Sequence, residues 1–378
     1  LSIKRILLTG ARAPATLDLA RIFAKNGYEV HAADSVACAL TFSSKAVHST
    51  HIVASPKMAT ARFMEQLMDI IKREQIDIII PTCEEIFYLA SYKKQIETYC
   101  QLFAEDIGRL AALHNKHQFP LIAEQYQLPV PSTTLCQNID DWKSATSMMD
   151  KKIGKPVFSR FSNQLYFLPE DREKPIDISE QKQWVVQDYI DGEHYCSYSV
   201  AHNGRILAHI VYQSKFRVGD GATIHFQTIH EPSVDNWVKK FVESYQFTGQ
   251  IGFDFIKDKA GTVYAIECNP RLTSGIHLFD RLPVHEAFLG TTTETITPQN
   301  SSRMLTAAML TYALPNIKQH GMKQTMNAIA AANDIVWDWH DPAPFFKQMQ
   351  SLLYFWQLSR GQKINLTEAT TFDISWDG

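Results

Sequence analysis

The residues with the clearest capacity for chemistry lie in one stretch, IGFDFIKDKAGTVYAIECNPRL (251–272). Two alternating segments, IGFDFIK and TVYAIEC, flank the turn-type sequence DKAG (258–261), which predicts a β-hairpin. Alternation puts Asp254 on the face opposite Phe253 and Phe255, and Glu267 on the face of Val263 and Ala265. A two-residue loop would pair Asp254 with Ala265, and a four-residue loop would pair it with Glu267. Either register puts both carboxylates on one face, whereas a three-residue loop would separate them. Asn269 follows on the Glu267 face, and Arg271 stands just past Pro270. Two carboxylates and an amide oxygen on one face require something positive between them. Hard oxygen donors without His or Cys suit Mg²⁺, completed by water and phosphate oxygens. Arg271 could reach a phosphate or carboxylate with both arms of its fork. The plainer reading of the spacing is a hairpin with its acids in solvent.

The elements that must position this hairpin precede it. Residues 3–34 read as strand, turn, helix and strand. IKRILLTG is an apolar strand, Pro14 suits a first helical turn, and Leu19, Ile22 and Phe23 share one helix face. YEVHAAD (28–34) is a second strand, and a helix over 58–73 leads to a strand at 76–80. This alternation predicts a Rossmann-like parallel sheet with helices on both faces. Asp34 could then serve a dinucleotide ribose, but ARAPAT after Gly10 lacks the further glycines of that fingerprint. Glu84 and Glu85 follow Pro81 at a helix start, where the helix dipole alone accounts for acids. Strands are expected at 153–168, 184–190 and 195–212, and a helix near 233–247. The part from about 300 to 378 reads as mostly helical, with Phe346, Met349, Leu353 and Trp356 on one stripe read as core packing.

Composition narrows the function classes. A chain of 378 residues, 45% hydrophobic and 20% charged, has ample core material for more than one domain. A net charge of -3 with no dense Lys/Arg run disfavours nucleic acid as partner. The longest apolar runs are of strand length, so no membrane partner is expected. The six cysteines form no CxxC pair, which fits a reducing, cytoplasmic location. The fourteen histidines form no HxH or HExxH pattern.

The 251–272 segment closely resembles the metal-binding hairpin of the ATP-grasp superfamily, the group of biotin carboxylase, carbamoyl phosphate synthetase and D-alanine–D-alanine ligase. By that resemblance Asp254 would bind one Mg²⁺, Glu267 would bridge two, and Asn269 would bind the second; Mn²⁺ would fit the same donors. Arg271 would contact the transferred phosphoryl group or the acyl phosphate, with Arg271 through Ser274 facing the substrate. The likeness covers most of residues 3–280. NKHQFPLIAEQYQLPVPST (115–133) resembles the segment whose lysine, here Lys116, reaches ATP phosphate. GKPVFSRF (154–161) is similar to the strand carrying a second phosphate-binding cation, matched to Arg160. VVQDYIDGEHY (185–195) resembles the adenine-binding hinge, with Gln187, Tyr189 and Ile190 at the base. His194 stands where the family has a ribose-binding acid, with Glu193 beside it as a substitute. Lys215 and Arg217, beside GDGA, are further cations for the triphosphate. The loop 162–171 has no glycine where the family's phosphate loop is glycine-rich.

The resemblance implies an α/β and α+β fold in three parts. These are a Rossmann-like domain (1–112), a two-part ATP-grasp domain (113–295, with a lid at about 145–190) and a mostly helical C-terminal extension (296–378). It implies an ADP-forming ligase using Mg·ATP, in which Arg160, Arg271 and Lys116 compensate charge while a small carboxylate becomes an acyl phosphate for an amine or thiol. The departures at 162–171, Gln187 and His194 support an alternative, an ATP-binding regulatory protein without turnover. The extension has three uses open to it: completing the fold, binding the second substrate, or forming a homodimer contact.

Overall fold

The apolar runs near the N-terminus become parallel strands buried between helices, as continuous Ile/Leu/Val runs favour. The computed structural model describes residues 3–147, 150–160, 164–173, 176–214, 216–218, 222–280, 282–310 and 322–378. Strands β1 (Arg5–Thr9), β2 (Glu29–Asp34), β3 (Ser49–Ile52), β4 (Ile78–Ile80) and β5 (Gln101–Leu102) form one parallel sheet in the order β3-β2-β1-β4-β5. The helix Pro14–Lys25 opens on its proline and buries Leu19, Ile22 and Phe23. Strand order reverses between β1 and β4, and the crevice outside the carboxyl ends of such strands is where open α/β sheets take ligands. Gly10 begins the loop leaving β1 at φ +70°, and a Cβ there would lie 2.6 Å from Thr82 Oγ1 and 2.9 Å from Cys83 Sγ. Its lack of a side chain is thus used for packing against the loop after β4. Asp34 is consumed in the same way: buried, it accepts from the Arg12 guanidinium at 2.6 Å and from the amides of Arg12 and Val36. That engagement argues against the dinucleotide reading.

A four-stranded antiparallel sheet follows, made of β6 (Thr133–Cys136), β7 (Lys152–Pro156), β8 (Tyr166–Leu168) and β9 (Trp184–Asp188) in the order β6-β9-β7-β8. It has its own small core around Trp142, Leu168 and Trp184. The largest sheet takes β10 (Gly192–His202), β11 (Arg205–Gln213), β14 (His225–Thr228), β15 (Gly249–Asp258), β16 (Val263–Asn269), β17 (Ser302–Met304) and β18 (Asn333–Asp334). The short pair β12 (Arg217–Val218) and β13 (Ala222–Thr223) stands apart from it. The order of the large sheet is β16-β15-β10-β11-β14-β17-β18. The helix Pro232–Tyr245 covers one face, setting Trp237, Phe241 and Val242 on Phe253 and Phe255. The other face shares a core with the N-terminal sheet, where Tyr198, Val200 and Ile210 join Ile6, Leu8 and Phe23. Alternation therefore turns Asp254, between Phe253 and Phe255, toward the N-terminal layer.

The C-terminal part is more integral than an extension. Strand β17 pairs antiparallel with β14, and β18 pairs parallel with β17. The helix Ala343–Gln362 also corrects the sequence reading. Phe346, Met349, Leu353 and Trp356, expected in the core, are 68, 64, 54 and 48% exposed. Its apolar side chains are spread over several faces among polar ones, and it buries Pro344, Ser351 and Phe355 instead, with Phe355 set against Val36 and Ala369. Among the described residues no helix is long and apolar enough to cross a membrane.

Candidate active site

The hairpin takes a register that turn chemistry alone would have made unproductive. Asp258 N–H donates to Thr262 across a three-residue loop closed by Gly261 at φ +90°, a conformation suited to glycine. Near the turn Lys257 pairs with Val263 and Phe255 with Ala265, which would put Asp254 and Glu267 on opposite faces. A bulge then inserts Ile266, and beyond it Asp254 pairs directly with Glu267 and Gly252 with Asn269. The bulge restores the shared face. Asn269 Nδ2 donates to Asp254 Oδ2 at 3.2 Å, Cys196 Sγ–H to Asp254 Oδ1 at 3.0 Å, and Arg271 Nη2 to Asn269 Oδ1 at 3.0 Å. The expected metal ligands and Arg271 therefore converge.

Two buried lysines face this cluster. Lys116 Nζ lies 3.5 Å from Glu267 Oε1 and donates to the Ser159 carbonyl at 2.9 Å. Lys155, which sequence reasoning missed, donates to Gln187 Oε1 at 3.0 Å and to the Ile266 carbonyl at 3.2 Å. The second contact uses an oxygen on the bulged residue itself. Burial pushes the Lys155 ammonium down to about 8, with Glu267 and Asp254 opposing and Lys116 adding to the fall. A cation held this way gains from an arriving polyanion. The signal was present in the strand KIGKP, where the antiparallel pairing of β7 with β9 brings Lys155 within reach of Gln187.

Arg160, expected as the second cation of that strand, lies past its end, where Pro156 terminates β7. Its guanidinium donates to Glu84, to the Trp376 carbonyl and, at 3.2 Å, to Asp377 Oδ1. Glu84 was assigned no role beyond a helix start. It is buried, accepts the Trp376 N–H at 3.1 Å, and its other oxygen lies 3.7 Å from Arg271 Nη2. Glu84 thus joins Arg160 and Arg271 into one patch beside the hairpin's end. His114 lies within the electrostatic reach of that patch. Burial, then the charges of Lys116, Arg271 and Arg160, hold its pKa well below the ordinary value, so the ring is neutral. Neither of its nitrogens has a hydrogen-bond partner among the described residues.

The remaining expected residues divide. Gln187 is buried and bridges Lys155 to Thr133, donating to Thr133 Oγ1 at 2.9 Å. Tyr189 and Ile190 lie in the open link between β9 and β10, Tyr189 N–H donating to Lys151. Glu193 accepts from Tyr195 Oη at 2.6 Å, and Tyr195 packs in the core on the face away from Asp254. Its neighbour His194 has the parity of Cys196, the strand partner of Asp254, and is exposed. Ser274 opens the short helix Ser274–Phe279, which Asp18 holds to the N-terminal domain through His277 Nδ1 at 2.6 Å. Lys215 lies outside the described residues. Arg217 is in β12, and its side chain is not among the described ones.

The donor set fits Mg²⁺. Among the described residues no three His, Cys, Asp or Glu side chains surround one metal position, so two carboxylates and an amide would need phosphate and water oxygens to complete an octahedron. A cavity of about 420 Å³ elsewhere shares none of these residues. It lies beside His209, whose ring bridges Ser199 Oγ at 2.8 Å and Asp235 Oδ1 at 3.0 Å. That resembles a hydrolytic triad in composition, but Ser199 is fully buried and its hydroxyl cannot meet a substrate.

Residues 114–275 match the family model described as an ATP-grasp domain. No curated protein sequence matches the chain. Among solved structures it is similar to N5-carboxyaminoimidazole synthetase from Staphylococcus aureus complexed with ADP, at 15% identity and TM-score 0.64, covering 80% of this chain and 81% of that one. The biotin carboxylase domain of the Hydrogenobacter thermophilus 2-oxoglutarate carboxylase, complexed with MgADP and bicarbonate, is similar at 11% identity and TM-score 0.63, covering 80% and 74%. The L-amino acid ligase from Bacillus licheniformis is similar at 14% identity and TM-score 0.60, covering 75% of each chain.

Proposed function

Residues 114–275 are an ATP-grasp domain, and from that premise we propose that the chain is a Mg·ATP-dependent ligase that converts a carboxylate into an acyl phosphate for capture by an amine or another nucleophile. The observation that carries this reading is the shared face of Asp254, Glu267 and Asn269, with Lys116 and Lys155 brought against it. The three oxygen-bearing side chains would hold Mg²⁺, as two ions, which would supply charge neutralisation at the phosphates when bound. Lys116 and Lys155 compensate the same phosphates from the other side. Gln187 in β9 and the link residues Tyr189 and Ile190 receive the adenine, and His194 borders the ribose. Arg271 orients the anionic group being transferred, with Ser274 at the edge of the substrate region. Such chemistry rests on positioning and electrostatics, so it needs no protein nucleophile. ADP release from Mg·ATP that depends on an added carboxylate, screened over small acids and amino acids, tests the proposal. Release that no carboxylate accelerates would count against it.

A second reading, nucleotide binding without turnover, is favoured by one observation. Residues 164–171, the described part of the loop expected over the triphosphate, contain no glycine. Tight Mg·ATP binding with no ADP release under any carboxylate would select it.

A further inference from the structure

The helix Ala343–Gln362 offers side chains to two surroundings at once. Ser351 and Phe355 fasten one face to the N-terminal domain. Ser351 Oγ donates to the Cys38 carbonyl, Phe355 packs on Val36 and Ala369, and the Arg12 guanidinium lies 6.0 Å from the Phe355 ring. About 100° or more round the helix from Phe355, the side chains of Phe346, Met349, Leu353 and Trp356 form an exposed stripe about 15 Å long. Trp339, 82% exposed, extends it past the start of the helix. Trp337 makes the connection, meeting Trp339 and Phe346 edge-on with ring centroids 5.0 and 6.1 Å away. Single exposed apolar side chains are ordinary on a protein surface, whereas a contiguous run that includes two indoles marks a docking face.

The charges beside the stripe select the occupant. From Pro342 to Thr367 the chain has three basic residues, Lys347, Arg360 and Lys363, all exposed, and no acid, although the whole sequence carries a net charge of -3. Arg360 lies one turn beyond Trp356, its guanidinium 5.1 Å from that ring, and Lys347 stands beside Phe346 at the other end. Asp341, just before this stretch, is buried and holds Arg21 and Ser44. A second copy related by a two-fold axis would bring this base-rimmed face against its own like, cations against cations. Aromatic, thioether and leucine side chains edged by lysine and arginine match instead an anionic lipid surface, where rings enter the headgroup boundary and cations meet phosphate. We propose that this helix lies in the surface of a membrane containing anionic lipids, with Phe355 toward the protein and the Phe346–Trp356 stripe toward the acyl chains. That no helix among the described residues is long and apolar enough to cross a membrane bears on spanning, not on lying in the interface. A helix shared between a protein core and a bilayer needs apolar residues on two faces, and this one has them.

The test is sedimentation of the full chain with vesicles, one set of phosphatidylcholine alone and one containing about a third phosphatidylglycerol. Binding to the anionic set should exceed binding to the neutral set about tenfold or more, and should weaken as salt rises from about 0.1 to about 0.5 M and the Debye length shortens. Two double variants divide the contributions: Phe346→Ser with Trp356→Ser, and Arg360→Glu with Lys363→Glu. All four side chains are exposed, so both variants should unfold cooperatively near the unaltered midpoint. Each should lower binding to the anionic vesicles about tenfold or more. Bromine on the acyl chains should quench tryptophan emission from the unaltered protein, and quench it much less in Trp339→Phe with Trp356→Phe. Failure of the unaltered protein to bind anionic vesicles overturns the proposal, as does binding that either double variant leaves intact or that is equal on neutral vesicles. A lipid-free dimer in sedimentation equilibrium that Phe346→Ser with Trp356→Ser makes monomeric gives the face to a second copy, and overturns it too. None of these readouts involves nucleotide, so the outcome is independent of the ligase reading.

Discussion

Replacing Lys155 with methionine separates stability from nucleotide affinity in a way the geometry makes quantitative. Lys155 is buried, and its ammonium is held down to about 8 in the folded protein. Against an ordinary lysine near 10.4, that difference corresponds to about 3 kcal/mol of destabilisation carried by the charged form. The folded pKa is lowered, so the unfolded chain binds more protons between pH about 8 and about 10.4. Stability from this group therefore rises through that window, and the full penalty is present below it. Lys155→Met removes the penalty and conserves the stem's packing, but it leaves Gln187 Oε1 and the Ile266 carbonyl without this donor. Each such loss costs about 1–3 kcal/mol, so the two effects nearly cancel. The thermal midpoint at pH 7 should move by only a few degrees. Mg·ATP, by contrast, loses a charged donor worth about 1.5–3 kcal/mol, so its Kd should rise roughly 10- to 150-fold. Calorimetry with Mg·ATP and thermal unfolding on the same preparation measure both. An unchanged Kd alongside a fall of more than about 10 °C in Tm would refute the reasoning, since Lys155 would then be a structural residue.

Nucleotide binding should also take up protons. A lysine near 8 is half deprotonated at pH 8, and phosphate raises its pKa, so uptake should approach about half a proton per nucleotide at pH 8 and vanish near pH 6.5. Titrations in buffers of different ionisation enthalpy report it, and uptake independent of pH would exclude Lys155 as its source. Gly261→Val should cost about 1–2 kcal/mol from strain at positive φ, read as a lowered urea midpoint. A neutral result would mean that the turn is not the three-residue form. On the helix Ala343–Gln362, Phe346→Ser should change stability by less than about 0.5 kcal/mol, whereas Phe355→Ala should cost about 3 kcal/mol. Equal costs would contradict the observed choice of buried face.

Much of the fold was legible because its signals are periodic. The continuous apolar runs became parallel strands, Pro14 opened its helix, and the alternation of 251–269 became a hairpin. The shared face of Asp254 and Glu267 was expected from two turn lengths, yet it arises from a third combined with the bulge at Ile266. A bulge is set by packing and by the cation that uses its free carbonyl, and neither is written in alternation. Lys155 and Arg160 show the same limit. Motif spacing placed the second cation at Arg160, but β7 stops at Pro156, so the interior position falls to Lys155 and the later arginine is free to meet Glu84. Glu84 and the Trp376–Asp377 stretch that meets Arg160 were not legible as site features, because their partners are far along the chain and no local pattern encodes them. The helix Ala343–Gln362 spreads its apolar residues over several faces, so sequence alone could not choose which one is buried.

The most direct test is calorimetric titration of ATP into the protein with and without Mg²⁺, beside the variant Glu267→Gln. The substitution keeps the side chain's size and removes the charge that faces Lys116 Nζ at 3.5 Å. Saturable, Mg²⁺-dependent binding by the unaltered protein, weakened at least tenfold in a variant that still unfolds cooperatively, is the expected result. Binding that ignores both Mg²⁺ and Glu267→Gln would contradict the assignment of the hairpin as the metal–nucleotide site.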